Sequence, residues 1–234
     1  MNSIVSKCLT GIAACLLLPL LSFSQVDSKA FDDLSYRFIG PEGNRAIAIV
    51  GEPGNPMVNY IGAASGGIWK TEDGGVSWNP IFDDQNVSSI GSLALAPSQP
   101  STVWAGTGET FLIRPAHSIG NGIYKSTDAG KSWTNMGLAK TARIGRVIVH
   151  PTNPDIVYAA ALGHTYGPQQ ERGVYRTKDG GKTWAKVLFV DENTGAADLS
   201  MDPKNPNVLY AAMWSININT WGLNSGGAGG GIYK

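Results

Sequence analysis

The chain has 234 residues, with 18 Lys and Arg against 18 Asp and Glu, 30 Gly, 13 Pro and 2 Cys. A zero net charge and only 15% charged residues exclude the basic surplus of a typical nucleic-acid binder. At 42% hydrophobic the chain can build a core, so bulk disorder is excluded, and the glycine and proline content points to a turn-rich β protein.

Met1 to Ser24 carries one charge, Lys7, followed by an apolar run through Leu21 and small residues at Ser22 and Ser24. This predicts a secretory signal peptide over residues 1–24, cleaved before Gln25. Two alternatives stand beside it. A membrane anchor is opposed by Pro19 and the shortness of the run, and a lipoprotein box at Ile12-Ala13-Ala14-Cys15 is opposed by the apolar residues after the cysteine. Both cysteines, Cys8 and Cys15, lie in this segment. The mature chain, residues 25–234, is then exported without disulfides, and no second apolar run is long enough to span a membrane.

The rest of the chain repeats. Gly67 to Trp78, Gly122 to Trp133 and Gly173 to Trp184 share the pattern G-[IV]-[WY]-[KR]-[ST]-x-D-x-G-x-[ST]-W, and a fourth copy begins at Gly231-Ile-Tyr-Lys234. Asp73, Asp128 and Asp179 are 55 and 51 residues apart. A second motif keeps step: Pro53 to Pro56, Pro97 to Pro100, Pro151 to Pro154 and Pro203 to Pro206, each followed by a β-branched and aromatic run. Paired prolines around Asn or Gly are turns, and the runs are strands. One unit therefore reads as strand A (146–150), a Pro turn, strand B (156–162), a loop (163–172), strand C (173–177), a tight turn and strand D (184–190). Four antiparallel strands in about 50 residues predict a β-propeller blade. The predicted blades are 36–84, 90–140, 144–191 and a partial 197–234, an all-β fold and an incomplete propeller.

In the tight turn, Asp73, Asp128 and Asp179 are expected to accept backbone N–H bonds and close the C–D hairpin. Gly75, Gly130 and Gly181 are expected to take backbone conformations closed to other residues, and Trp78, Trp133 and Trp184 to pack between blades. These nine residues are assigned a structural role.

The turn S/T-x-D-x-G-x-x-W, with Phe38-IGPEGNRA, Gly106-TGE, His150-PTNPDIVYAAALGH, Glu171-RGVYRTKDGGKTW and Met201-DPKNPNVLYAAMW, resembles the bacterial BNR or Asp-box repeat proteins labelled "glycosyl hydrolase", related to the sortilin-type ten-bladed propeller. Proteins with such turns include sialidases, xyloglucanases, sortilin-type receptors and a photosystem II assembly factor, of which two are enzymes. The resemblance implies further blades C-terminal to Lys234, the chain being an N-terminal fragment, and it implies the fold more firmly than the activity.

In an up-and-down blade the A–B and C–D turns share one end. The long B–C and D–A loops gather at the other, where function is expected. That face collects Asp83, Asp84, Glu109, Arg114, His117, Arg143, His164, Glu171, Arg172, Asp191, Glu192, Trp214 and Trp221. Acids with indoles suit a glycan site, since sugar rings stack on indole faces and carboxylates serve as general acid and base. Glu109 is the candidate catalytic acid. Arg114, His117, His164, Arg172, Trp214 and Trp221 are the candidate ligand contacts. A salt bridge between Glu171 and Arg172 is the competing reading for that pair, and His150, beside a Pro turn, is expected to be structural. Neither H-E-x-x-H nor a phosphate loop nor G-x-S-x-G is present, so no metal, no cofactor and no serine-hydrolase route is expected. The expected function is an exported propeller, periplasmic, surface-bound or extracellular, that acts on or binds glycans and is possible as a glycoside hydrolase. The alternative is a non-catalytic sortilin-like propeller that binds peptides or partner proteins.

Overall fold

The computed structural model describes residues 45–110 and 118–234, with residues 27, 29, 32, 38, 40 and 41 before them. The predicted signal peptide, Arg114 and His117 lie outside the described residues. The chain divides into units 1–38 and 39–234, and the account below is of the second. Among the described residues, no helix is long and apolar enough to cross a membrane.

The unit is all β, in four antiparallel sheets taken in chain order. Blade 1 is β1 (Ala46–Glu52), β2 (Asn55–Ala63), β3 (Ile68–Thr71) and β4 (Asn79–Pro80). Blade 2 is β5 (Ile90–Ala96), β6 (Gln99–Thr107), β7 (Ile123–Ser126) and β8 (Thr134–Asn135). Blade 3 is β9 (Ile144–Val149), β10 (Val157–Ala161), β11 (Gly173–Thr177) and β12 (Ala185–Leu188). Blade 4 has β13 (Thr194–Met201), β14 (Leu209–Asn219), β15 (Gly222–Ser225) and β16 (Gly231–Tyr233). The first strands β1, β5, β9 and β13 lie side by side, as the inner strands of a propeller do.

The period-2 pattern decides how the blades stack, because alternate residues of a strand face opposite sides of its sheet. In β5, Leu93 and Leu95 join a core with Tyr60, Ile68 and Phe82 of blade 1. Their neighbours Ala94 and Ala96 join a core with Ile144, Val147 and Val149 of blade 3. Strand β6 does the same, with Val103 and Ala105 on one side and Trp104 on the other. A third core joins Ala160 and Val174 of blade 3 to Ala196, Leu199, Ala211 and Met213 of blade 4. Close approach of the inner strands demands glycine at the second position of β5, β9 and β13: a Cβ on Gly145 would lie 2.4 Å from the Ala197 carbonyl oxygen.

The Asp-box turns have the expected construction. Thr71 donates its hydroxyl to Asp73 (2.7 Å) and accepts from the amide of Gly75 (2.8 Å), while Ser77 donates both its amide (2.9 Å) and its hydroxyl (2.5 Å) to the Asp73 carboxylate. Ser126, Asp128, Gly130 and Ser132 repeat this set, as do Thr177, Asp179, Gly181 and Thr183. The hydroxyl of Ser132, then its amide, then Ser126 hold Asp128 down to about 2, and Thr183 does the same for Asp179. Asp73 is lowered further still, chiefly by the Ser77 hydroxyl. The indoles reach the preceding blade: Trp133 donates Nε1–H to Ile81 O (2.7 Å) and Trp184 to Met136 O (2.8 Å).

Blade 4 departs from the sequence reading. Trp214 and Trp221, placed on the loop face by the sequence, are not in an irregular loop. Instead β14 runs on to Asn219 and β15 returns along it, so a β-hairpin extends from the blade before β16 takes the third-strand position. Ser215, Ile216 and Ile218 are buried while Trp214 and Asn217 are half-exposed, and an Asn-capped turn at 219–222 lets the chain reverse.

Candidate functional site

The two ends of the blades are chemically distinct. At one end each Asp-box turn bonds the start of the second strand or the turn just before it in its own blade: Gly74 N–H to Met57 O, Ala129 N–H to Ser101 O and Gly180 N–H to Asp155 O. His150 belongs to this end, its Nδ1 accepting from the amides of Thr152 and Asn153. The opposite end is closed by a repeated bond. The residue before each inner strand, Arg45, Ser89, Arg143 or Asn193, accepts at its carbonyl from Ala64, Gly108 or Leu162 just past the second strand, or from Ile216 within the longer β14. All the described loop candidates lie at this end.

Glu109 sits at the centre of an interblade chain. It is 1% exposed, and its Oε1 lies 2.5 Å from Nη2 of Arg45 of blade 1. Its carbonyl accepts from Nε of Arg143 of blade 3 (3.0 Å), and Arg143 also donates to Gly163 O (3.4 Å). Blades 1, 2 and 3 are thus tied at one residue. Burial lowers the pKa of Arg143, which remains a cation in any ordinary buffer. In this arrangement the Glu109 carboxylate is an ion-pair partner held away from solvent, not an acid open to a ligand. Arg45 was not named from the sequence. The signal was present, since Arg45 and Arg143 both stand immediately before an inner strand.

Arg172 is likewise wholly buried, and its guanidinium donates to the carbonyls of Asn193, His164 (2.6 Å), Gly167 (3.2 Å) and Ile216 (3.1 Å). It stitches the 163–172 loop to blade 4. The planar fork of donors suits several carbonyls at once, and neither a ligand contact nor a bond to Glu171 is left in that geometry. The expectation that Arg172 faces a ligand is corrected here: burial turns the fork inward.

His164 is half-buried, its amide donating to Gln169 Oε1 (2.5 Å). Burial first, then the Arg143 charge, lowers its pKa, so the imidazole is neutral at pH 7. Thr165 O accepts from the amide of Ile218 (2.6 Å), which docks the β14–β15 hairpin on this loop. Trp214 is half-buried and donates Nε1–H to Ser225 Oγ (2.9 Å), bracing the hairpin from within. Trp221, at the hairpin tip, is 91% exposed. Asp83, Asp84 and Glu192 are exposed, and Asp191 caps the turn into β13 through the Asn193 amide (2.8 Å). The candidates therefore divide: Glu109, Arg143 and Arg172 hold the rim together, and Trp221 presents an open indole.

Comparison with known proteins follows this architecture. The family model for sortilin, neurotensin receptor 3, matches residues 121–221. The probable oligoxyloglucan-reducing end-specific xyloglucanase of Neosartorya fischeri is 31% identical over 154 residues, which cover 63% of this chain and 18% of the relative. An ancestral GH74 enzyme superposes with a TM-score of 0.57 at 21% identity, covering 78% of this chain and 23% of that one. YCF48 bound to D1 peptide superposes with a TM-score of 0.52 at 16% identity, covering 82% and 59%. The chain spans only 13% to 22% of the length of the curated xyloglucanases it matches. The chain is thus a β-propeller of four-stranded Asp-box blades, similar in sequence to glycosyl hydrolase-type propellers and to the sortilin domain.

Proposed function

We propose that the chain supplies part of the glycan-contacting face of an exported β-propeller, with β-linked glucans of the xyloglucan class as ligand. The observation that carries this reading is Trp221, an indole 91% exposed at the tip of a hairpin anchored by buried Ile216 and Ile218. An exposed indole on a rigid support offers a stacking surface for a pyranose ring at little ordering cost. The likeness in sequence to xyloglucanases supports this class of ring. The leader-like Met1 to Ser24 segment supports export, and hydrolysis of O-glycosyl bonds is the activity we assign to the whole protein, with its general acid elsewhere than at buried Glu109.

The test is calorimetric titration of the chain and of Trp221→Ala with xyloglucan oligosaccharides. The expected outcome is saturable binding that weakens about two- to tenfold in the variant, the size of one aromatic contact. Equal affinity of the two proteins removes Trp221 from the site, and absence of binding to any glucan overturns the reading.

A second reading is favoured by a different observation. The buried arginines of this face are engaged by main-chain carbonyls, which suits a binder more than a catalyst. On that reading the face holds a peptide, as YCF48 does in its complex with D1 peptide. Binding of peptides in place of glucans in the same titration selects it.

A further inference from the structure

Asp84-Gln85-Asn86-Val87-Ser88 connects blade 1 to blade 2 and takes no part in the interblade bonds of the rim or in the Trp221 surface. Asn86 has Ser88 two residues on and Val87, not proline, between them, which is the N-x-S/T acceptor sequence for N-linked glycosylation. No other asparagine of the chain has serine or threonine at that spacing. Asp84, two residues before Asn86, completes the longer form D/E-x-N-x-S/T that transferases of the bacterial type read.

The fold opens this segment and fixes it at both ends. A turn closed by Gln85 N–H to Phe82 O (3.2 Å) begins it. At its far end Ser88 O accepts from Gly67 N–H (2.8 Å) and Ser89 O from Gly108 N–H (2.9 Å). Between these anchors exposure alternates: Asp84, Asn86 and Ser88 are exposed, whereas Gln85 and Val87 are half-buried. Val87 packs against the core shared by blades 1 and 2. The three side chains that define the motif are thus the three left in solvent. Among the described residues no hydrogen bond engages the side chain of Asn86 or of Ser88. An anchored surface loop with a free amide is where a bulky, polar glycan can be carried without moving a core residue.

We propose that Asn86 is the acceptor of an N-linked glycan, added by an oligosaccharyltransferase that reads Asp84 and Ser88. The co-substrate is a polyprenyl-diphosphate-linked oligosaccharide. The Asn86 Nδ2 attacks its anomeric carbon, so that the N–C1 bond forms as the C1–O bond to the diphosphate breaks. The lipid diphosphate leaves with the electron pair, and a base of the transferase takes one amide proton. The Ser88 hydroxyl and the Asp84 carboxylate are recognition contacts, the second of them charge-assisted. The assignment shares with the function proposed above only the export of the chain, and it does not depend on which ligand the loop face holds.

The test is transfer in vitro to the purified, folded chain, which needs no export. The probe is a bacterial oligosaccharyltransferase of the acidic-motif type with an undecaprenyl-diphosphate-linked oligosaccharide, read by intact mass and peptide mapping. The chain should gain a single oligosaccharide, mapped to Asn86, and Asn86→Gln should gain none. Transfer to Asp84→Ala should be about tenfold slower, the loss of one charge-assisted contact. Both positions are exposed, so an unchanged melting temperature identifies each variant as folded. The chain recovered from the exported fraction of its own cells should carry a glycan at the same residue. Absence of transfer to the folded chain, transfer that survives Asn86→Gln, equal rates for Asp84→Ala and the parent, or an unmodified Asn86 in the exported material would each overturn the proposal.

Discussion

Arg45 and Glu109 meet at 2.5 Å across the boundary between blades 1 and 2, with the carboxylate 1% exposed and the guanidinium at the rim. A carboxylate taken out of water needs that partner. Arg45→Ala should therefore leave a buried charge uncompensated and lower unfolding stability by about 2–4 kcal/mol. Glu109→Gln, which keeps the shape and removes the charge, should cost less. Urea unfolding of both variants checks the order, and a smaller loss in Arg45→Ala than in Glu109→Gln contradicts it.

Arg172 ties two parts of the rim together, through carbonyls on its own loop and on blade 4. Truncation to alanine strands several buried acceptors, so a loss of about 3–5 kcal/mol is expected. Lysine should rescue little, because one ammonium cannot reach a fork of carbonyls. Faster proteolysis within residues 163–172 of either variant is the measurement, and full rescue by lysine would show that charge alone matters.

The Asp-box carboxylates predict an acid limb. Asp128 is held down to about 2 from its ordinary 3.8. A lowered folded-state pKa gives stability that is present above the unfolded value and is lost as pH falls through the folded one. The melting temperature should thus fall between about pH 4 and pH 2. Asp128→Asn should melt lower than the parent at pH 7, and the two should converge near pH 2. A constant gap across that range would mean that the charge is not what the turn uses.

Two glycines separate backbone strain from crowding. Gly54 has φ +78 with open space around a Cβ, while Gly130 has φ +91 and would place a Cβ 2.5 Å from Ile81 Cδ1. Gly54→Ala should lose about 1 kcal/mol from the left-handed conformation alone. Gly130→Ala should lose about 2–4 kcal/mol, because the blade 1–2 contact must also open. Equal losses in chemical unfolding would remove the crowding argument.

What the sequence alone determined is the local chemistry. The spacing of Ser or Thr, Asp, Gly and Trp states which atoms bond in the turn, since donor and acceptor lie within a few residues of each other. The Pro turns and the alternating apolar runs state where the strands lie, and hence the blades. What only the tertiary structure decided is which polar side chains of the loop face are spent. Glu109 meets a residue 64 positions earlier, and Arg172 meets carbonyls 21 and 44 positions later. No spacing rule spans such distances, and a buried arginine reads the same as an exposed one in a polar loop. The hairpin was hidden for a related reason. Its return strand, Gly222 to Ser225, carries no β-branched residue, and the hairpin holds its place because Ile216 and Ile218 of β14 are buried and the Ile218 amide bonds Thr165 O of the blade 3 loop.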